Sequence, residues 1–205
     1  FDFTKVRFLG VLQRIAMVYL ATTLIVVFIP TTCLQTLFVF FLQGIYFVCM
    51  KFLPVPPMGG MKHCGANNVT PECSAESFFD SLILTTNHTY RKAPFDPEGL
   101  LSTLSAISTC YLGVLFFRIA SNVQSNYKKM KDDQDRRIEV SGGDPSSVDP
   151  DAQHKLMLYK MVAHWIMFGA VLVLCGHLLH TFSIFPYNKS VWSTSFVLTT
   201  AGCAG

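Results

Sequence analysis

The chain has 205 residues, of which 51% are hydrophobic and only 14% charged, and its formal net charge is +3. Soluble domains carry about 25% charged residues, so this shortage of charge, together with unbroken apolar runs, argues against a soluble enzyme and indicates a membrane protein. The net charge is unremarkable, so we expect no nucleic-acid partner, and the expected partner is the lipid bilayer.

Four apolar runs are long enough to cross a bilayer, which takes roughly 20 residues. The first two, at about 11–29 and 34–53, are separated by a short turn and should pack as an antiparallel pair. The third and fourth cover about 99–120 and 157–182, and a fifth begins at 193. The sequence therefore predicts an all-α, polytopic transmembrane bundle with four complete spans and the start of a fifth, and we expect it to be a fragment of a larger bundle.

Two long polar segments separate these runs. Residues 121–156 contain Lys128, Lys129 and Lys131 beside a Ser-Gly-Gly-Asp-Pro-Ser-Ser phrase, a composition typical of a disordered loop. Basic residues near span ends favour the cytoplasm, so this loop is assigned inside and the segment 55–97 to the opposite face. The basic cluster can attract the phosphates of coenzyme A, or it can be a plain topogenic signal, which the sequence favours.

The outer segment carries signs of a non-cytoplasmic compartment. Asn68 and Asn87 each begin an acceptor sequon for glycosylation. Cys64 and Cys73 share this polar loop, and an oxidising compartment favours a disulfide between them over a metal site. No metal site is predicted anywhere in the chain.

Arg14 and its neighbour Gln13 lie inside the first span. A charged residue in a membrane helix is costly and usually faces a partner or an aqueous cavity. The alternative is that Arg14 extends to the lipid headgroups. Gln13 is weaker evidence, because it can simply bond to a neighbouring helix.

Two further polar phrases reach the same membrane face by counting spans. Asp96-Pro97-Glu98 fits a helix start, with Asp96 as the N-cap, yet either carboxylate can also be a general base or the ion-pair partner of Arg14. Asn188 and Lys189 lie in the loop before the fifth run, where a structural or substrate-contacting role is favoured. Trp192 at a span boundary is most often an interfacial anchor.

The phrases VRFLGVLQRIAMVYL, FDPEGLLSTLSAI and PYNKSVWSTSFVLTTAG, in this order and spacing, resemble the signatures of the heparan-α-glucosaminide N-acetyltransferase family. The resemblance implies transfer of acetyl from cytosolic acetyl-CoA, a co-substrate, to the amine of terminal glucosamine of heparan sulfate in the lysosomal lumen. It also implies a multi-pass lysosomal protein. The residues that match the family's phrases are Arg7, Gln13, Arg14, Asp96, Glu98, Asn188, Lys189 and Trp192. Glu98 and Asp96 are the catalytic candidates, and the others are candidates for substrate binding.

Two departures from the family pattern matter. Leu9 stands where the family usually has proline, so the entry into the first helix can differ. The family's active-site histidine lies in an earlier helix that this sequence does not contain, and none of the six histidines matches it. We therefore expect this polypeptide alone to be inactive. A transporter or channel subunit, with Arg14 and Glu98 in the permeation path, and a non-catalytic membrane scaffold are the alternatives, and homo-oligomerisation is left open.

Overall fold

The computed structural model describes residues 7–56, 70, 73–85, 87–90, 95–141 and 150–204. These residues form an all-α structure, which confirms the predicted fold class. The six helices in the described ranges are α1 (Val11–Phe28), α2 (Thr32–Phe52), α3 (Ala75–Ile83), α4 (Leu100–Ser141), α5 (Pro150–Thr181) and α6 (Thr194–Ala204).

Four of these helices, α1, α2, α4 and α5, are long and apolar enough to cross a membrane. Large apolar side chains on their outer surfaces are exposed, among them Leu12, Phe28, Phe40 and Phe117. Such surfaces are costly in water and match the hydrocarbon of a bilayer, where helices satisfy their own backbone hydrogen bonds. The exact membrane boundaries stay predictions.

Helix α4 is the centre of the bundle. Half of its apolar window is buried, against 11% for α5, and it packs against α1, α2, α3, α5 and α6. One apolar cluster joins Val18 of α1, Val39 of α2, and Ile107 and Tyr111 of α4. The start of α4 is therefore a natural meeting point for segments from other helices.

The turn between α1 and α2 is held by side-chain bonds. The Gln35 side-chain amide donates to the carbonyls of Val26 (3.2 Å) and Ile29 (2.6 Å), which are otherwise left open at the end of α1. Thr31 caps α2 by accepting the N–H of Leu34. This tight reversal turns the chain back, but α1 and α2 each pack against α4, so the expected packing of the two helices against each other as an antiparallel pair is wrong.

Helices α5 and α6 approach each other at two glycines. A Cβ on Gly169 would lie 2.7 Å from the carbonyl oxygen of Gly202, and a Cβ on Gly202 would lie 2.5 Å from that of Gly169. Small residues of this kind let membrane helices pack closely. The segment 182–193 between the two helices lies at the same end as the start of α4, where the Ser105 hydroxyl donates to the Trp192 carbonyl at 2.8 Å.

The predicted disordered loop at 121–156 is wrong over its described part. Helix α4 continues to Ser141 and α5 already begins at Pro150. The extension contains good helix formers, and it places Asp132 four residues before Arg136, a spacing that supports a helix. Tyr127 and His154 also pack edge to face, with ring centroids 6.3 Å apart.

Candidate functional site

Arg7, just before α1, is bound to the turn that precedes α4. Its Nε lies 3.2 Å from Oδ2 of Asp96 and its Nη2 lies 2.6 Å from Oδ1, and Nη2 also donates to Glu98. The guanidinium sits over the Tyr90 ring, 4.8 Å from its centroid. Hydrogen bonding to Asp96 raises the pKa of Arg7 against the opposing effect of burial. This fork ties the chain before α1 to the start of α4.

Asp96 is fully buried and its carboxylate is saturated with donors. Besides the two bonds from Arg7, it accepts the N–H of Tyr90 at 2.9 Å and that of Glu98 at 3.0 Å. Four bonds fill the four lone-pair positions of a carboxylate. Asp96 is therefore placed as a structural residue with no free position for a substrate proton.

The expected helix start at Asp96-Pro97-Glu98 needs a correction. These residues form a turn, closed by a 2.9 Å bond from the Gly99 N–H to the Asp96 carbonyl, and α4 begins only at Leu100. Proline in the second position and glycine in the fourth favour such a turn. Asp96 does accept the N–H of Glu98, but it caps this turn and not the helix itself.

Glu98 has a different environment from Asp96. Its side chain is 18% exposed, and it pairs with Arg7. The expected ion pair between Glu98 and Arg14 is not among the described contacts, because Glu98 pairs with Arg7 and the hydrogen bonds of Arg14 go to the Pro97 and Ser102 carbonyls. Glu98 is thus a carboxylate at the site that reaches solvent.

Arg14 is the residue on which the three polar phrases converge. It is 7% exposed, so the alternative of an extended side chain among headgroups is wrong. Its Nη1 donates to the Pro97 carbonyl at 2.9 Å and its Nη2 to the Ser102 carbonyl at 3.3 Å. Its guanidinium lies 4.3 Å from the centroid of the Trp192 ring. One side chain of α1 therefore contacts the start of α4 and the loop before α6.

Trp192 is held in an unusual backbone conformation, with φ of 50°. A bulky residue in the left-handed region is strained and persists only where its surroundings fix it. Three bonds do so here: its N–H donates to the Lys189 carbonyl (3.2 Å), its carbonyl accepts from Ser105 Oγ (2.8 Å), and its Nε1 donates to Thr109 Oγ1 (3.2 Å). Trp192 is thus a fixed partner of Arg14 as well as a boundary residue.

The ring of Trp192 also borders an open groove between α4 and α6. The groove has a volume of about 570 Å³, and its lining includes Thr109, Gly113 and Trp165. Its lining runs along α4 from Thr109 to Phe117 and along α6 to Ala204, away from the turn that precedes α4. An elongated, mainly apolar group has room to lie there.

The remaining candidates lie at the same end of the bundle but outside the contacts of Arg14. The Asn188 side chain accepts the N–H of Ser190 at 3.0 Å, and the backbone N–H of Asn188 donates to Ser193 Oγ at 3.0 Å, so Asn188 helps to form the turn in which it lies. Lys189 and Gln13 are exposed. Their roles in substrate binding stay predictions.

Sequence reasoning missed two acids on α3, Glu76 and Asp80, here called the acid pair. Both are fully buried beneath the turn before α4. Burial raises the pKa of Asp80 to about 7, although the Leu100 N–H, which donates to its Oδ1 at 3.0 Å, opposes the shift. Burial also raises the pKa of Glu76 well above its usual range. Their four-residue spacing is typical of two residues on one face of a helix, but the polar composition of the segment 55–97 predicts a loop, so the two acids were not among the candidates.

The structure describes only some of the residues for which a disulfide or glycosylation is predicted in the outer loop. Cys64 and Asn68 lie outside the described residues, and Asn87 is exposed. Five described cysteines are free thiols, and Cys73 is not among them. The disulfide and both glycosylation sites stay predictions.

No family model matches the chain. Among curated proteins it is similar to the heparan-alpha-glucosaminide N-acetyltransferase of Mus musculus, with 26% identity over 97% of this chain, and to that of Homo sapiens, with 25% identity over 98%. The alignments cover 32% of each relative, so the chain spans about a third of the length of the curated relatives it matches. This near-complete coverage confirms the resemblance of the chain to the heparan-α-glucosaminide N-acetyltransferase family.

Proposed function

We propose that the chain forms the acceptor side of a transmembrane acetyltransferase, which moves acetyl from cytosolic acetyl-CoA to the amine of terminal glucosamine of heparan sulfate in the lysosomal lumen. The observation that supports this most is the meeting of the three family-like phrases at Arg14, through Pro97, Ser102 and Trp192. The two relatives carry the acetyltransferase activity in their names.

Amide formation needs an amine that has lost its proton, a thioester within attack distance, and donors for the oxyanion. Glu98 is the residue we assign to the amine, because it is a carboxylate at the site with access to solvent. Asp96 is a positioning residue that holds Arg7 and the Glu98 backbone. Arg7, Asn188 and Lys189 are assigned to the acceptor sugar.

Arg14 can stabilise negative charge at the reacting carbonyl. Carbonyl bonds use two of its five N–H groups, so donors remain next to Trp192. We assign the groove beside Trp192 to the acyl-thioester arm of acetyl-CoA, which must reach this end from the opposite side. The histidine that the family resemblance implies would come from a segment other than this chain.

The test uses sealed membrane vesicles that contain the gene product carrying this chain. Acetyl-CoA is supplied on the cytoplasmic side, and glucosamine or a heparan oligosaccharide with terminal glucosamine is trapped inside. We expect N-acetylated product inside, and an Arg14→Met variant should lose about 100-fold in rate, the cost of removing an oxyanion donor. The matched control is Arg118→Met, because Arg118 is half-buried and makes an exposed bond to Thr32 at the other end of α2.

Other results would contradict the proposal. Flux of the amine or of acetyl-CoA across the membrane without acetylation would support the transporter or channel alternative instead. Family-like turnover by this chain alone would show that the chemistry does not need a histidine from elsewhere. Acetylation of free glucosamine but not of the oligosaccharide would contradict the assigned acceptor.

A further inference from the structure

The acid pair lies where a proton can control the candidate site. Glu76 and Asp80 are one turn apart on the same face of α3 and are both fully buried. Asp80 is pressed against the turn before α4, because a Cβ on Gly99 would come within 2.0 Å of its Oδ2. The charged and titratable groups that face the pair are Arg14 of α1, Tyr46 of α2 and Asp96 of the turn.

The hydrogen bonds of the two acids differ. The Tyr46 hydroxyl lies beside the Glu76 carboxyl and acts on it, but its own hydrogen is directed to the Val191 carbonyl, so neither Glu76 oxygen accepts a well-formed hydrogen bond among the described residues. Asp80 accepts the Leu100 N–H at Oδ1, while its Oδ2 has no partner in the same part of the chain. Two adjacent buried carboxyls cannot both be ionised without a large cost. Glu76 is the more deeply buried acid and accepts no backbone N–H, so it is the acid that keeps a proton.

The charges around the site do not balance without protons. Arg7 is engaged with Asp96 and Glu98, which already supply two negative charges. Arg14 is the remaining cation, and it faces the two carboxyls of the acid pair. With Arg7, Arg14, Asp96 and Glu98 charged, one proton on the pair leaves the site with a net charge of −1, and a second proton brings that net charge to zero.

We propose that the acid pair is a proton-binding site that holds one proton near neutral pH and two in an acidic compartment, and so sets the charge felt by a cationic acceptor at Arg14 and Glu98. The second proton comes from water and converts the Asp80 carboxylate to the neutral acid. The part of this proposal that concerns the acceptor rests on the proposed function. The raised pKa of Asp80, about 7, agrees with a change of state between these compartments.

Infrared spectroscopy tests the proton site without substrate. The protein in lipid nanodiscs is labelled with ¹³C in the side chains of either aspartate or glutamate, so that the two kinds of carboxyl band are separated without substitutions. At pH 8 we expect a protonated glutamate band, which Glu76→Gln removes, and between pH 8 and 6 a protonated aspartate band should appear, which Asp80→Asn removes. The control is Asp132→Asn, an exposed aspartate of α4. Absence of the glutamate band at pH 8, or an aspartate titration that survives in Asp80→Asn, would overturn the proposal.

The stability of the protein gives a second measurement. Because folding raises the pKa of Asp80, protonated Asp80 contributes to the free energy of unfolding. This contribution is fully present below the usual aspartate pKa of 3.8 and is lost as the pH rises through the folded-state pKa of about 7. The melting temperature of the wild type should therefore fall between pH 5 and 8, and in Asp80→Asn this fall should be reduced. An equal fall in both proteins would overturn the assignment to Asp80.

Acetyl transfer tests the link to the acceptor. The KM for the amine should rise about tenfold from pH 8 to pH 6, because the second proton removes a negative charge near the ammonium. The Asp80→Asn variant should have the high KM at both values. An acceptor KM that follows the wild-type pattern in Asp80→Asn would overturn the link. A titrating aspartate band in a protein without any acetyl transfer would instead support the proton site and refute the proposed function.

Discussion

Replacing Arg14 by methionine should destabilise the protein by about 3 kcal/mol. The change removes two charge-assisted hydrogen bonds, each worth about 1.5 to 3 kcal/mol, and a cation–π contact with Trp192 worth about 1 to 2 kcal/mol. Relief of the desolvation cost of a buried cation offsets part of this loss. The Pro97 carbonyl would also lose its side-chain donor.

The assay is thermal unfolding in nanodiscs, where about 3 kcal/mol corresponds to a decrease in melting temperature of roughly 6 to 12 °C for a chain of this size. Arg14→Lys keeps the charge but cannot form the planar two-carbonyl contact, so it should recover less than half of the loss. Arg118→Met removes one exposed bond, to Thr32, from a half-buried arginine, and should change stability by about 0.5 to 1 kcal/mol. Equal effects at Arg14 and Arg118 would refute the view that burial and paired carbonyls make Arg14 special.

Three other predictions use the same protein. Gly99→Ala should destabilise the protein by about 2 to 3 kcal/mol in thermal unfolding, because the new Cβ would clash with the Asp80 carboxylate. The control is Gly113→Ala, which should be neutral or slightly stabilising, because a Cβ there meets no atom within 4 Å. Equal effects of the two substitutions would contradict this packing. Tyr46→Phe should cost about 1 to 3 kcal/mol in the same measurement, since the buried Val191 carbonyl loses its donor, and an unchanged melting temperature would contradict that bond. Asn87→Gln should remove one glycosidase-sensitive mobility shift on gels, and an identical shift in the variant would contradict the outer location of this loop.

The sequence predicted the helices better than their connections. Long apolar runs leave few alternatives to membrane helices, so the fold class followed directly. The cost of a charge in a span likewise pointed to Arg14 as a buried, partnered residue. The helical extension of α4 was missed because a basic, polar composition suits both a solvated helix and a disordered loop. Helix α3 was missed because its short amphipathic pattern lies inside a segment rich in loop-forming residues.

The pairing within the site was beyond sequence reasoning for a geometric reason. The sequence allows Glu98 to be the ion-pair partner of Arg14. In the structure, the turn closed by Gly99 directs the Glu98 carboxylate to Arg7 and presents the Pro97 carbonyl to Arg14. Pattern and spacing place residues on a membrane face, whereas the local backbone decides which of them touch.

Arg7 and Arg14 have the same side chain but different partners and therefore different roles in the site. Arg7 is partly exposed and binds two carboxylates, so its charge is neutralised locally and it mainly fixes the turn. Arg14 is buried and binds neutral carbonyls, so its positive charge remains available to a developing oxyanion and to the acid pair behind it. A buried cation without a direct counter-ion is costly, and a fold keeps one where its charge has a use. Stabilisation of the oxyanion should therefore depend on Arg14, while Arg7 fixes the turn that carries Glu98 and contributes to the acceptor side of the site.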